Sequence, residues 1–330
     1  MSELRRDPVT GIWTILAPGR AGRPKDFTRA ADEAGDASHC PFCPGNEHLT
    51  PPSLLESSLP GSAGWTVRAF ENLYPALEAA EDDDGLRAVD APWPYTGQQG
   101  FGKHEVIVES PRHDDTLAAY EPAHAALLVD AWAQRIEHHR RAERSAAVIL
   151  FRNFGRAAGA SLAHPHTQLM ALPRVPDALV RELGNFSESA TEGRPCVLCA
   201  AVSADDAGGR IVWDDGVTVV HVPWAAPIPY LMRITPRECL RSLADATPGQ
   251  RASFADALVA AAAALSRVFG DAAFNVTLHD APFSAQRAGL PFHLHAEVVP
   301  RTSDQAGFEW ASGAFMNVID PDQAAAELRG

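Results

Sequence analysis

The sequence predicts an α+β chain folded as two copies of one unit. Three observations carry that expectation. The same order of features runs through the chain twice: a Cys-x-x-Cys pair, a strand ending near Pro-Arg with a ligand-type residue close by, a long helix, a strand, and a strand bearing His-x-His. The spacing repeats as well, with 51 residues from His113 to His164 and 54 from Cys239 to His293. Between the copies lies "LGNFSESATEGRP", 183–195, whose small and polar composition suits a linker or surface loop. The expected halves are 1–182 and 183–330.

In the first half the order is "CPFC" at 40–43, an apolar segment "HEVIVESPRH" at 104–113, a helix near 122–143, and the strand "AAVILFRNFG". Leu128, Trp132 and Ile136 at i, i+4 and i+8 give the helix its apolar stripe, and β-branched runs bounded by Gly and Pro mark the strands. The segment "GASLAHPHTQLMALP" follows, at 159–173. The second half repeats this with "CVLC" at 196–199, "YLMRITPREC" at 230–239, a helix near 247–269 carrying Phe254, Leu258, Leu265 and Phe269, then "FNVTLHD" and "PFHLHAEVVP". Asp26 to Ser38 and the acidic "EAAEDDDG" read as solvated loops without chemistry.

With 330 residues, 46% of them hydrophobic, the chain can bury a sizeable core. Its formal charge of -14, from 28 basic and 42 acidic residues, argues against nucleic acid or a membrane surface as partner, because an anionic polymer or bilayer needs a broad basic face. A small anion can still be held by a local cluster of positive charge. The opening "MSELRRDPVTGIW" lacks an apolar signal-peptide core and no eighteen-residue apolar run occurs, so the expected location is the cytoplasm. Five cysteines, an odd number in a reducing compartment, group as Cys40/Cys43, Cys196/Cys199 and Cys239, which suggests metal rather than disulfides.

Cys-x-x-Cys offers two thiolates to one tetrahedral ion, and zinc then needs two further nitrogen or sulfur ligands. For Cys40 and Cys43 the natural completions are His113 and His164; a cysteine pair in a turn beside two unrelated histidines is the alternative. Four protein ligands leave no open position, so such a site is structural. By the repeat, the second set is Cys196, Cys199, Cys239 and His293. Its alternatives are vestigial thiols buried as small hydrophobes, or a harder site of Glu182, His279, His293 and His295 suited to iron or zinc.

If His164 is spent on metal, His166 is free for chemistry. In an extended segment residues 164, 166 and 168 share a face, while Pro165 restricts the backbone between the histidines. A neutral imidazole whose second nitrogen donates a hydrogen bond is a competent nucleophile toward phosphorus. Ser161, Gln168, Asn153 and backbone amides about Gly159 in "GRAAGAS" are the nearby donors for the developing charge.

"CPFCPGNE", "GKHEVIVESPRH", "FRNFGRAAGASLAHPHTQ" and "AGFEWASGAFMNVIDPDQAAAEL" together resemble the galactose-1-phosphate uridylyltransferases and their relatives, over nearly the whole chain. The most specific motif is Gly-x-Ser-x-x-His-Pro-His-x-Gln. The resemblance implies membership of the histidine triad superfamily, with two such halves around a largely antiparallel half-barrel sheet with flanking helices, and a homodimer. It also implies ping-pong transfer through a nucleotidyl-His166, as in the conversion of UDP-glucose and galactose 1-phosphate to UDP-galactose and glucose 1-phosphate. Gln168 stands where histidine triad hydrolases carry a third histidine, which favours transfer over hydrolysis.

Further positions are implied by the same resemblance. Arg20 and Arg23 match N-terminal phosphate-contacting arginines, and Asn72 in "ENLYPAL" matches a nucleoside contact, although Leu73 and Tyr74 depart from the Asp-Phe of some members. Phe308 and Glu309 match the Tyr-Glu of a hexose-binding tail that reaches the partner subunit's site. The lysine some members carry before that tail is missing from "RTSDQAG". Two Cys-bearing metal sets, hence two zinc ions per chain, and the ending "GFEWASGAFMN" are similar to relatives acting as ADP-sugar phosphorylases or adenylyltransferases. The expected ligands are therefore a nucleoside-diphosphate sugar with a sugar 1-phosphate or phosphate.

Overall fold

In a computed structural model, residues 2–20, 37–77, 88–142, 144–270 and 273–330 are described. The strands in chain order are β1 (Glu3–Arg6), β2 (Trp13–Leu16), β3 (Ser53–Ser57), β4 (Val67–Glu71), β5 (Ala88–Val89), β6 (Gly97–Gln98), β7 (Lys103–Val108), β8 (Ala147–Phe154), β9 (His166–Leu172), β10 (Ile211–Asp214), β11 (Thr218–His221), β12 (Met232–Pro236), β13 (Phe274–His279), β14 (His295–Pro300) and β15 (Phe315–Asn317). The helices are α1 (Pro122–Arg141), α2 (Asp177–Thr191), α3 (Val197–Ala207), α4 (Pro248–Phe269), α5 (Phe283–Arg287), α6 (Gly307–Ser312) and α7 (Pro321–Arg329). The loop expected at Asp26 to Ser38 falls mostly outside the described residues, and so does "EAAEDDDG".

Ten strands form one antiparallel sheet in the order β10-β11-β12-β14-β13-β8-β9-β7-β4-β3. Outward from the β8–β13 junction, β8-β9-β7-β4-β3 on one side mirrors β13-β14-β12-β11-β10 on the other. At the junction Asn153 lies opposite Asn275 and Leu150 opposite Leu278. The repeated order of sequence features is thus a repeated strand order, and backbone pairing fuses its two copies. The observed class is the expected one: α+β, with a large antiparallel sheet and flanking helices.

Helices α1 and α4 occupy equivalent places in the two copies and pack on one face of the sheet. Leu128, Trp132 and Ile136 of α1 join Phe254, Leu258 and Leu265 of α4 in a single core with Ile107, Leu150, Leu169, Ile234, Val276 and Val298 from the strands. Helix α4 starts where local chemistry says it should: Thr247 and Gln250 form a reciprocal cap and Pro248 takes the first turn. It is long and apolar enough to cross a membrane by composition alone, but Phe254, Leu258 and Leu265 are buried in this core.

Helix α2 corrects the reading of 183–195 as a linker, since Asp177–Thr191 is helical. Leu179, Glu182, Phe186 and Ser189 follow the helical period and are buried, the Ser189 hydroxyl donating to the Pro195 carbonyl. The Phe186 ring packs 5.0 Å from that of Phe292. Tertiary burial of that stripe outweighs the weak helix propensity of Gly184, Asn185 and Ser187.

Strand β7 shows how alternation divides labour. His104, Val106 and Val108 project to the face away from the helices, whereas Glu105 and Ile107 project toward α1. The Glu105 carboxylate accepts from Arg135 Nε at 2.8 Å and Nη2 at 2.7 Å, and lies 2.8 Å from His139 Nε2, all three side chains being buried. Burial alone would raise the Glu105 pKa, but Arg135 and His139 hold it down at about 2. Replacing Glu105 with Gln leaves the Arg135 guanidinium without its counter-charge, and a loss of about 3–5 kcal/mol is expected by urea unfolding at neutral pH. Because the folded pKa is depressed, this advantage over the variant is present above the ordinary glutamate value of 4.5 and vanishes as pH falls through about 2.

Candidate functional site

After β8 the chain must reverse to deliver residues 164–168 to the sheet. Gly155 and Gly159 supply the reversal with φ of 80° and 88°, flanking a short 3-10 turn, Arg156–Ala158. Asn275 of β13 pins that turn from the other copy of the repeat. Its Nδ2 donates to the Ala158 carbonyl and to Asn153 Oδ1, each at 2.8 Å. Ser161 follows, and Pro165 leads into His166 at the first position of β9.

His166 is buried, and its Nδ1 donates to the His164 carbonyl at 2.8 Å. The ring proton therefore sits on Nδ1, and Nε2 keeps its lone pair. Burial lowers the His166 pKa, so the neutral imidazole is the resting form. A cavity of about 170 Å³ opens beside it, walled by Phe42, Phe70, Asn72, Ser161 and Gln168 among others. The Phe42 ring approaches the imidazole edge-on at 5.2 Å. An unprotonated ring nitrogen among amide and hydroxyl donors can attack an electrophilic phosphorus.

Of the residues singled out by sequence, His166, Gln168, Ser161 and Asn72 come together at this cavity. Asn153 and Gly159 are not among its walls: the Asn153 oxygen is taken by Asn275, and Gly159 packs near the Asn153 amide nitrogen. Arg20 ends a 3-10 turn at Pro18–Arg20, while its side chain and Arg23 lie outside the described residues. Phe308 and Glu309 lie on α6 and do not line the cavity; Glu309 accepts from the Ala306 amide and caps its own helix. Sequence reading missed His104, Phe42 and Asn275. Each reaches the site from another strand or turn, so only the register reveals it.

Cys40, Cys43, His113 and His164 converge, with His164 Nδ1 3.6 Å from Cys40 Sγ and 3.5 Å from Cys43 Sγ, and His113 Nδ1 3.5 Å from Cys43 Sγ. A tetrahedral ion with metal–sulfur distances of about 2.3 Å and metal–nitrogen distances of about 2.0 Å sets sulfur and nitrogen roughly 3.5 Å apart, so the donor set fits zinc. The donor chemistry agrees. Burial, aided by His113 and His166, lowers the His164 pKa to about 4 and keeps the ring neutral, while burial and Cys40 push the Cys43 thiol up to about 11, a conflict that a dication relieves. The His164 Nε2 proton is held by the Ser110 carbonyl at 2.8 Å, leaving Nδ1 for the ion.

The second set assembles as the repeat implied. His293 Nδ1 lies 3.4, 3.5 and 3.6 Å from the sulfurs of Cys196, Cys199 and Cys239. Its Nε2 donates to the Pro236 carbonyl at 2.8 Å, matching His164 and Ser110. The neighbouring Cys199 and Cys239 thiols lower the Cys196 pKa, while Cys239 is driven up by Cys196 and Cys199, so three adjacent sulfurs also call for a cation. The alternative set of Glu182, His279, His293 and His295 is not one site. His293 turns its Nδ1 to the cysteines, and only Glu182, His279 and His295 cluster. There His279 Nδ1 lies 2.9 Å from Glu182 Oε1; burial alone would lower the His279 pKa, yet this carboxylate raises it, and the three donors lie close enough together to hold an ion of their own.

Metal analysis checks this assignment. About two zinc ions per chain are expected, with one lost in Cys239→Ala and neither in Glu182→Gln. His164→Ala is expected to lose one ion and to lower the thermal midpoint as well, because the vacated Cys40, Cys43 and His113 lose their shared partner.

A sequence model of the galactose-1-phosphate uridyl transferase N-terminal domain matches residues 1–176. An ADP-glucose phosphorylase of Arabidopsis thaliana is 31% identical over 99% of this chain and 92% of its own length. A galactose-1-phosphate uridylyltransferase of Thermotoga maritima is 25% identical over 100% and 98%. The crystal structure of an ADP-glucose phosphorylase from Arabidopsis thaliana with bound ADP-glucose superimposes with a TM-score of 0.87 at 29% identity, covering 100% of this chain and 99% of that one. The chain belongs to the galactose-1-phosphate uridylyltransferase family.

Proposed function

We propose that this protein transfers a nucleoside monophosphoryl group from a nucleoside-diphosphate sugar to a phosphate acceptor through a covalent intermediate on His166. One observation carries the reading: the Nδ1 hydrogen bond to the His164 carbonyl leaves His166 Nε2 unprotonated beside a cavity walled by Ser161, Gln168 and Asn72. In the first step Nε2 forms a bond to the α-phosphorus, the bond from that phosphorus to the bridging oxygen breaks, and sugar 1-phosphate leaves. In the second, an acceptor phosphate oxygen attacks the same phosphorus, and the nitrogen–phosphorus pair returns to Nε2. Ser161 and the Gln168 amide are placed to hold the phosphoryl oxygens.

Cys40, Cys43, His113 and His164 would hold a zinc ion with four protein ligands, and the ion would supply rigidity. His164, fixed through both ring nitrogens, offers its carbonyl as an immobile acceptor for the His166 proton. Gln168 disfavours a hydrolase: a neutral amide cannot deliver a proton to a leaving group as a histidine can.

The adenine nucleotide is the favoured donor, supported by the likeness to the plant ADP-glucose phosphorylase over 99% of the chain and by the Cys196–Cys199–Cys239–His293 set. The second reading, uridylyl transfer between UDP-glucose and galactose 1-phosphate, is supported by the match over residues 1–176 and by the relative from Thermotoga maritima. Incubation with ADP-glucose or UDP-glucose labelled in the α-phosphate separates them. Label is expected on the protein from ADP-glucose, discharged by phosphate or a hexose 1-phosphate; label from UDP-glucose alone selects the second reading. His166→Gly is expected to lose turnover by about a thousandfold or more with its metal retained. Full activity of that variant without added imidazole would overturn the covalent step.

A further inference from the structure

Gln168 can stabilise negative charge only if its NH2 end, and not its carbonyl end, faces the reacting phosphate. The two ends have nearly the same shape, so packing does not choose between them, and a reversed amide would set one oxygen against another. The choice is made by His104, diagonally placed across the β7–β9 pairing, in which Val106 lies opposite Gln168. The backbone N–H of Ala76 donates to His104 Nδ1 at 3.3 Å. A backbone amide is only a donor, so Nδ1 is the acceptor nitrogen and the ring proton sits on Nε2. That Nε2–H reaches Gln168 Oε1 at 2.9 Å. With its oxygen engaged, Gln168 has its amide nitrogen left for the cavity, and no partner for that nitrogen occurs among the described residues.

We propose that His104 is a positioning residue that fixes the orientation of the Gln168 amide, and so the donor character of the cavity wall facing His166. The proposal rests on the nucleotidyl-transfer reading of this site. The same histidine ties the wall together beyond Gln168. Its carbonyl accepts from the Asn72 amide at 2.8 Å, and Asn72 Oδ1 accepts from the Tyr74 amide at 2.9 Å, so the Asn72 Nδ2, 3.3 Å from the protonated Nε2, makes no hydrogen bond to it and stays a donor. A chain of backbone donors at Ala76 and Tyr74 thereby dictates which end of two neighbouring amides is free.

A double-mutant cycle tests this, read as the rate of protein labelling by ADP-glucose or UDP-glucose, whichever labels the wild type. His104→Ala is expected to slow labelling tenfold or more at saturating nucleotide sugar while its half-saturating concentration changes less than threefold. His104→Gln, whose amide can donate from nearly the same place, is expected to recover most of that rate. In a Gln168→Ala background, His104→Ala is expected to cost nothing further. Additive losses, a wild-type rate in His104→Ala, or no recovery in His104→Gln would overturn the proposal. Should His104→Ala lower the thermal midpoint, His104→Phe fills the space without a donor and takes its place in the cycle. A wild-type protein that takes no label from either compound overturns the nucleotidyl-transfer reading instead. The His104 arm is then decided by ADP affinity in the same four proteins, where coupling supports the orientation and additivity refutes it.

Discussion

The backbone carbonyl of His164 is the fixed point of the site. It accepts the Nδ1 proton of His166, and that one bond decides which imidazole nitrogen keeps its lone pair. Its precision depends on how firmly His164 is held. The His164 Nε2 is tied to the Ser110 carbonyl, its Nδ1 faces two cysteine sulfurs, and Pro165 removes a backbone donor and a degree of freedom between the two histidines. The Cys/His cluster and the His166 imidazole share His164, whose ring faces the cysteines and whose carbonyl faces His166.

The second copy of the repeat keeps this device and closes the space around it. His295 holds in β14 the place that His166 holds in β9, and its Nδ1 donates to the His293 carbonyl at 2.9 Å. Yet where the first copy has an open cavity, the second is filled with compensated charge. The buried Arg233 pairs with Glu297 at 2.7 Å and with Asp7 at 3.3 Å, and His221 meets Asp205 at 2.7 Å. Glu297 stands in β14 where Gln168 stands in β9. A carboxylate there would repel a phosphate, and here it neutralises an arginine instead. One copy became the site and the other its buttress, with Asn275 reaching across the junction to hold the turn below Ser161.

The two faces of β7 and β9 show how one strand pair serves both ends. Toward the helices, Thr167 donates to Glu109 at 2.6 Å, and Glu105 grips Arg135 and His139, a buried contact that fixes α1 on the sheet. Toward the cavity, His104, His166 and Gln168 leave an imidazole nitrogen and an amide exposed to a ligand. Moving either strand by one residue would exchange the two sets, so the register that stabilises the fold also protects the site.

Much of this was legible from the residues in order. Periodicity placed α1 and α4, the duplicated spacing anticipated the mirrored sheet, and Cys-x-x-Cys with distant histidines named both Cys/His clusters that converge, because groups able to share one ion must be of matching chemistry wherever they fall in the chain. The motif around Ser161, His166 and Gln168 is local, so its members arrive at the site together. Tertiary structure alone decided the rest. It made 183–191 a helix through the burial of Phe186, split His293 from Glu182, His279 and His295, and brought His104 to Gln168 and Asn275 to Asn153. These depend on which strands lie side by side and in what register. Pairing energy is spread over whole strands and leaves little mark on any single residue, so the sequence names the reactive groups and the sheet decides which way they face.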